Sequence, residues 1–183
     1  MMESTSTKEL IRNTLEKLLG EKEYAEISMK EIAQRANVGR RTLYRYFGTK
    51  DDIVRFMADS VMNEFADALL LQEAKNLEEI TNVYFLFWEK NAKVFRCLDQ
   101  SHLLYYIEDH LFEYIIQVAF KTKFKDMYRK PEELLAKMPK ERVYDFYFKI
   151  AGYWELTKRW MREDNRSTPG EISSLVVRIL NEK

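Results

Sequence analysis

The same helix-start signal recurs four times in this chain, and its positions divide the sequence before any other property is considered. Ser6–Glu9, Ser28–Glu31, Thr49–Asp52 and Thr168–Glu171 each place a hydroxyl three residues ahead of an acid. In that spacing the hydroxyl oxygen accepts a helix-start amide and the acid bonds back to the capping residue. Asn76–Glu79 is a looser version, and Pro169 stands at a first helical position, where a missing N–H costs nothing. Apolar residues follow at helical spacing, as in the stripe Leu10, Ile11, Leu15, Leu18 and Leu19. Only five Gly and three Pro occur in 183 residues, which leaves few turns and favours long helices. No alternating strand pattern, internal repeat or low-complexity segment is visible. The expected fold is all-α: a three-helix helix-turn-helix domain followed by an all-helical body, about nine helices in total. The predicted helices cover about 7–21, 29–36, 40–46, 50–73, 77–97, 99–109, 110–129, 140–163 and 168–181, with a break around Pro131–Pro139.

Other classes are disfavoured by what the residues lack. The longest unbroken apolar run, Val83–Trp88, is six residues, against about 20 for a membrane-spanning helix. The opening MMESTSTKEL has neither a basic nor an apolar leader region. The single cysteine, Cys97, excludes an internal disulfide framework and suits a reducing compartment. A cytoplasmic protein without a membrane partner is expected. No Ser/His/Asp set, metal-ligand spacing or phosphate loop is present, so an enzyme is not expected.

Residues 28–47 have the shape of a helix-turn-helix: a helix over 29–36, a break at Asn37-Val38-Gly39, and a second helix over 40–46. Ala33 is small enough to let the second helix approach, and Val38 fills the corner. Gly39 caps the second helix less well than Ser would. With Leu43 at zero and about 100° per residue, Phe47 falls about 40° away on the same face. Arg41 and Arg45 fall at about 160° and 200°, on the opposite face. Leu43 and Phe47 therefore anchor the helix and the two arginines point outward, while Arg40 and Tyr46 lie nearer the core edge. From Arg40 to Lys50 there are four cations and no acid, whereas an ordinary solvated face mixes signs. Residues 1–50 hold ten Lys/Arg and seven Glu, a net of +3, against −3 in the rest. Guanidinium forks match guanine edges in the major groove, so Arg40, Arg41 and Arg45 are the candidates for base reading. Hydroxyls of Thr42, Tyr44 and Tyr46 and the Lys50 ammonium suit phosphate oxygens, which set register without reading sequence. The helix start at Ser28 offers free amides to another phosphate.

The stretch Ile27–Val54, ISMKEIAQRANVGRRTLYRYFGTKDDIV, resembles the DNA-binding domain of the TetR family of transcription regulators. The residues that carry the likeness are Ile32-Ala33, Val38, Thr42-Leu43-Tyr44-Arg45-Tyr46-Phe47 and Lys50-Asp51. It spans residues 10–54, about a quarter of the chain, and is specific. The resemblance implies phosphate contacts from Thr42, Tyr44, Tyr46 and Lys50 and base reading around Arg40 and Arg41; Arg45 is added by the helical angle alone. Gly39 departs from the family, which often has Ser there. The resemblance further implies a DNA-binding domain over 1–50 and a helical regulatory and dimerising domain over 51–183. The segments Ala151–Met161 and Ser167–Glu171 are similar to the last helix pair of many relatives, which packs against its copy as a four-helix bundle. Gly152, Trp160, Leu175 and Ile179 are the candidates for that dimer face. A glycine inside a helix weakens it by about 1 kcal/mol against Ala, which close packing of another helix would explain at Gly152.

The body, residues 51–183, holds 21 of the 25 aromatics. They can line a pocket for an apolar or flat effector, or form ordinary core and a dimer face. Phe85, Trp88, Tyr105, Phe120, Phe124 and Tyr147 are the pocket candidates. His102 and His110 fit no metal-ligand pattern, and neither a metal nor a cofactor is expected. Cys97 reads as a small buried side chain. The basic stretch from Lys121 to Lys130 reads as a solvated helix face. The expected function is therefore a homodimeric repressor that binds a near-palindromic double-stranded operator and releases it on binding a small effector. The alternative is a coactivator or adaptor acting through a protein partner, against which the basic patch of residues 40–50 argues.

Overall fold

The structure, a computed structural model, describes residues 6–72, 76–119, 133 and 136–181. These residues are helical throughout and contain no strand. The helices are α1 (Thr7–Leu19), α2 (Met29–Arg35), α3 (Arg40–Tyr46), α4 (Lys50–Leu71), α5 (Leu77–Lys90), α6 (Ala92–Gln100), α7 (Tyr105–Ala119), α8 (Lys140–Arg162) and α9 (Pro169–Asn181). A single 3-10 turn, Tyr24–Glu26, precedes α2. None of the described helices is long and apolar enough to cross a membrane.

All five start signals open helices. Ser6 and Ser28 accept the amides of Glu9 and Glu31, each at 3.2 Å. Thr49 and Asp52 bond reciprocally at 3.1 and 2.8 Å, and Asn76 accepts from the Glu79 amide at 2.9 Å. Thr168 accepts from the Glu171 amide at 3.3 Å and donates its own amide to the Glu171 carboxylate at 2.8 Å. Each such cap satisfies amides that the helix itself cannot, an effect of about 1 kcal/mol.

The helix predicted over 77–97 is divided. Asn91 leaves the helical conformation and turns its side-chain amide onto the Phe87 carbonyl at 3.0 Å, which ends α5. The junctions predicted at 97–99 and 109–110 are also displaced. α6 continues to Gln100, and the break falls at residues 101–104, where His102 takes a left-handed conformation (φ 56°). The His102 and Leu103 amides bond back to the Asp99 and Leu98 carbonyls at 3.0 and 2.7 Å, the paired closure of a Schellman motif. A left-handed stop on a residue other than glycine leaves no mark in apolar periodicity, which is why this one escaped prediction. Of the helix predicted over 110–129, the part beyond Ala119 lies outside the described residues, as do Phe120, Phe124 and most of the Lys121–Pro139 stretch.

Two compact units are present. One comprises Met1–Val61 with Lys93–Tyr106. Its core is Ile11, Leu15 and Leu18 of α1, Ile32 of α2, Leu43 of α3, Ile53 and Met57 of α4, and Phe95 and Leu98 of α6, all fully buried. Burial of each such side chain contributes about 1.5–3 kcal/mol. The buried Cys97 thiol donates to the Glu16 carbonyl of the same unit at 3.5 Å, and burial pushes it up to about 11, away from reactivity.

The other unit comprises Met62–Ala92 with Ile107–Lys183, in which α9 packs along α5. Tyr84 sits at its centre, edge-on to Phe65, Phe85 and Tyr153. Its hydroxyl meets the Thr157 hydroxyl at 2.8 Å, and Thr81 meets the Tyr153 hydroxyl at 2.6 Å. These two pairs set the register of α5 against α8, because a slip would bury unsatisfied hydroxyls. Glu108 of α7 accepts from Trp154 Nε1 at 2.6 Å and from the Lys158 ammonium at 2.7 Å, binding α7 to α8.

Candidate nucleic-acid interface

α2, the turn after it and α3 form the helix-turn-helix. Its corner is a second Schellman closure, with Asn37 left-handed (φ 52°). The Asn37 and Val38 amides bond back to the Gln34 and Ala33 carbonyls at 3.1 and 3.0 Å. Asn tolerates that conformation better than most residues, since its short polar side chain can bond locally. Ile32 and Ala33 of α2 and Leu43 and Phe47 of α3 are buried. Gly39 begins α3 in an extended conformation with no side-chain cap.

The opposite face of α3 is open. Arg40, Arg41 and Arg45 are exposed, Tyr44 is 55% exposed, Tyr46 lies at the margin of exposure, and Thr42 is half-buried. The Arg45 guanidinium lies over the Tyr46 ring, 5.0 Å from its centroid, and approaches the Tyr46 hydroxyl at 3.5 Å. Arg45, chiefly by that bond, lowers the Tyr46 hydroxyl from its ordinary value; the Thr7 side chain and the Lys8 charge act in the same direction. Thr7 and Lys8, at the start of α1, therefore stand beside the end of the recognition helix. Sequence reasoning missed both, because nothing in local spacing connects residue 7 to residue 46.

Several of the acids around the motif are engaged. Glu31 pairs with Lys22 at 2.7 Å, and Glu21 pairs with Arg35. Lys22, by a direct bond, holds the Glu31 carboxyl below its usual range. Asp52 caps α4, and the Thr49 amide holds its carboxyl low. The outward face of α3 is left positive.

Lys50, expected to hold phosphate, is half-buried and also bonds within the chain. Its ammonium donates to the Tyr24 and Ile27 carbonyls at 2.6 and 3.1 Å, and lies 4.1 Å from the centroid of the Tyr24 ring. Asp51 accepts the Tyr24 hydroxyl. Ser28 is exposed and caps α2.

The remaining candidates separate by burial. Phe85 and Trp88 are fully buried among other aromatics of the second unit and belong to its core. Trp160 was expected on a dimer face, but it too is buried: its ring packs edge-on to Phe85, and its Nε1 donates to the Ser167 carbonyl at 2.7 Å. Tyr105 is partly exposed and stacks on Tyr106 at 4.3 Å; Tyr147 is half exposed and stacks on Phe112 at 3.8 Å. Gly152, Leu175 and Ile179 are exposed. Between α4 and α5 of the second unit lies an open groove of about 450 Å³, lined by Asp67, Leu71, Leu86, Phe87 and Lys90 among others. Phe85, Trp88, Tyr105 and Tyr147 are not among its lining residues.

Comparison with known proteins agrees with this geometry. A family profile described as bacterial regulatory proteins, tetR family, matches residues 11–56, and one described as a transcriptional regulator C-terminal region matches residues 75–182. The chain is 25% identical over 186 residues to the uncharacterized HTH-type transcriptional regulator YxbF of Bacillus subtilis (strain 168), covering 94% of this chain and 44% of that protein. It spans less than half the length of the curated relatives it matches. Among solved structures, a TetR transcriptional regulator from Streptococcus agalactiae 2603V shares the fold with a TM-score of 0.65 at 17% identity, over 96% of this chain and 94% of that one. The dihydroxyacetone kinase operon activator DhaS shares it with a TM-score of 0.57 at 16% identity, over 97% and 95%. With an N-terminal helix-turn-helix that turns cations outward and two profiles that between them reach from residue 11 to residue 182, the chain belongs to the TetR family of bacterial transcription regulators.

Proposed function

We propose that this regulator is a homodimeric repressor that binds a near-palindromic operator and releases it when a small, largely apolar or aromatic effector binds. The observation that carries the DNA half of this reading is the outward face of α3, where Arg40, Arg41 and Arg45 stand exposed beside Thr42, Tyr44 and Tyr46 with no acid among them. The three arginines read base edges in the major groove. The hydroxyls of Thr42, Tyr44 and Tyr46, the Lys50 ammonium and the free amides of the helix start at Ser28 hold phosphate and set register. Residues 1–50 serve as the DNA-binding part and 51–183 as the regulatory and dimerising part.

Dimerisation is supported by exposed apolar side chains that the described residues leave uncovered. On α8, Tyr144 and Phe148 are exposed, Phe148 by 79%, and Gly152 lies one turn further along. On α9, Leu175 and Ile179 are exposed, Ile179 by 54%. Apolar patches of this kind mark association sites. A two-fold dimer would set its recognition helices about 34 Å apart, one turn of DNA.

The test begins with duplexes selected by the protein from a random pool. Recovery of a near-palindromic sequence, bound by a dimer in a gel shift, is the expected result. Failure to enrich any duplex would remove the reading and favour action through a protein partner. Placing the recovered site ahead of a reporter then reads the sign of regulation: repression is expected, and activation would put this chain with DhaS, which is described as an operon activator.

A further inference from the structure

We propose, resting on the DNA-binding reading above, that Lys8 is a further phosphate ligand, which extends the DNA face of α3 onto the start of α1. Apolar spacing assigns α1 only a core stripe, and the helix precedes the helix-turn-helix in the chain. Lys8, its second residue, is exposed. The Lys8 ammonium lies 5.6 Å from the centroid of the Phe56 ring. Phe56 in turn packs on Phe47 at 5.6 Å, and Phe47 is the residue that closes α3. Tyr46, the last residue of α3, feels both the Lys8 charge and the Thr7 side chain at its hydroxyl. Arg45 reaches the same hydroxyl at 3.5 Å. Cations from two helices thus converge on one partly exposed phenol. That arrangement suits a phosphate oxygen, to which the hydroxyl donates a bond while the ammonium neutralises charge.

The ammonium is available for such a partner. At 5.6 Å the Phe56 ring holds it weakly, near the outer limit of about 6 Å for this attraction. The adjacent acid, Glu9, is turned to Arg12 at 3.3 Å. Among the described residues no carboxylate or carbonyl bonds the Lys8 ammonium, so its three N–H groups remain for a ligand outside the chain. The place is also a poor one for a cation by local rules. Free amides at a helix start present partial positive charge, so a first turn favours an acid such as Glu9 and disfavours a lysine. A cation kept there works against α1 and in favour of an anion bound beside it.

Salt dependence tests the contact. The probe is a duplex selected from a random pool by the wild-type protein. A side chain that neutralises one phosphate adds about 0.9 to the slope of log K against log salt, and Lys8→Gln should flatten the slope by that amount per protomer. Between 1 M and 0.1 M salt this slope is worth about eightfold in affinity per protomer, which the variant should lack. Lys8→Arg keeps the charge and should keep the slope. Lys17 is exposed nine residues further along α1, about 14 Å away and beyond the screening length of about 10 Å at 0.1 M salt. Lys17→Gln should therefore leave the slope unchanged. Because Lys8 opposes the helix start, Lys8→Gln should hold or raise the thermal midpoint of the free protein, so its weaker binding cannot come from unfolding. An unchanged slope for Lys8→Gln, a slope lost in Lys8→Arg, or an equal flattening in Lys17→Gln would overturn the proposal. An unchanged slope with a lowered midpoint would assign Lys8 to the fold instead. If the wild type selects no duplex, the DNA-binding reading falls and this one with it; if a duplex is selected and the slope holds in Lys8→Gln, this one falls alone.

Discussion

Arg45 shares the outward face of α3 with Arg41, and its guanidinium is steadied over the Tyr46 ring. A stacked guanidinium loses less freedom when it binds than a free one. Replacing Arg45 by Ala should cost about 1–3 kcal/mol against the selected duplex and relax preference at one position in each half-site. Competition between the selected duplex and point-changed versions measures this, and an unaltered preference would remove Arg45 from base reading. In the second unit, Glu108 also has a residue-scale consequence. Burial disfavours its charge, but bonds from Lys158 and Trp154 outweigh that and hold its carboxyl below the usual range. Lys158 is raised, chiefly by its bond to Glu108. A carboxyl held low in the folded state stabilises the protein above its unfolded pKa, and that stabilisation is lost as pH falls through the folded value. The lysine, held high, stabilises below its own unfolded value and loses this as pH rises. The pair should therefore act fully from about pH 5 to pH 10. Melting curves of Glu108→Gln and wild type should differ at pH 7 and draw together as pH falls below the ordinary carboxylate range.

At the scale of elements, helix starts and helix stops obey different rules. A start is written in side chains three residues apart, so it stands in the sequence. A stop can depend on one residue adopting φ above zero, as Asn37 and His102 do. For His102 this conformation is strained by about 1–2 kcal/mol, a cost that glycine avoids. His102→Gly should accordingly stabilise the protein by about 1 kcal/mol, read as a higher midpoint in urea at an unchanged slope. A lower midpoint would mean that the imidazole makes an interaction stronger than the strain.

At the scale of the whole molecule, the exposed face of α8 requires an explanation. Among the described residues, a Cβ added at Gly152 would meet nothing within 4 Å. Within one protomer, Gly152→Ala should therefore favour the helix by about 1 kcal/mol. If a second copy packs closely on α8, the same methyl should weaken the dimer by about tenfold or more. Sedimentation equilibrium at several concentrations distinguishes the cases. Phe148→Glu, which puts a charge into the apolar face, should leave monomers whose far-ultraviolet circular dichroism is unchanged. Dimers of undiminished strength from both variants would place the interface elsewhere.

Local relationships were legible in the residues themselves. Five capping signals marked helix starts, and the 100° helical step sorted Leu43 and Phe47 from Arg41 and Arg45, because partners in a helix lie within four positions of one another. Tertiary structure decided what depends on distant partners. The Lys50 ammonium bonds carbonyls 23 and 26 residues away, a tie that no local spacing announces. Phe85, Trp88 and Trp160 could not be told from Tyr147 and Phe148 by type or spacing. Only the packing of α5, α8 and α9 buried the first three and left the other two exposed. The sequence by itself determined the helical class and the exposed cationic face of α3, since both follow from backbone geometry over a few residues. Which side chains stay free to act was decided by the folded chain, since burial and ion pairing are properties of neighbours that the linear order does not name.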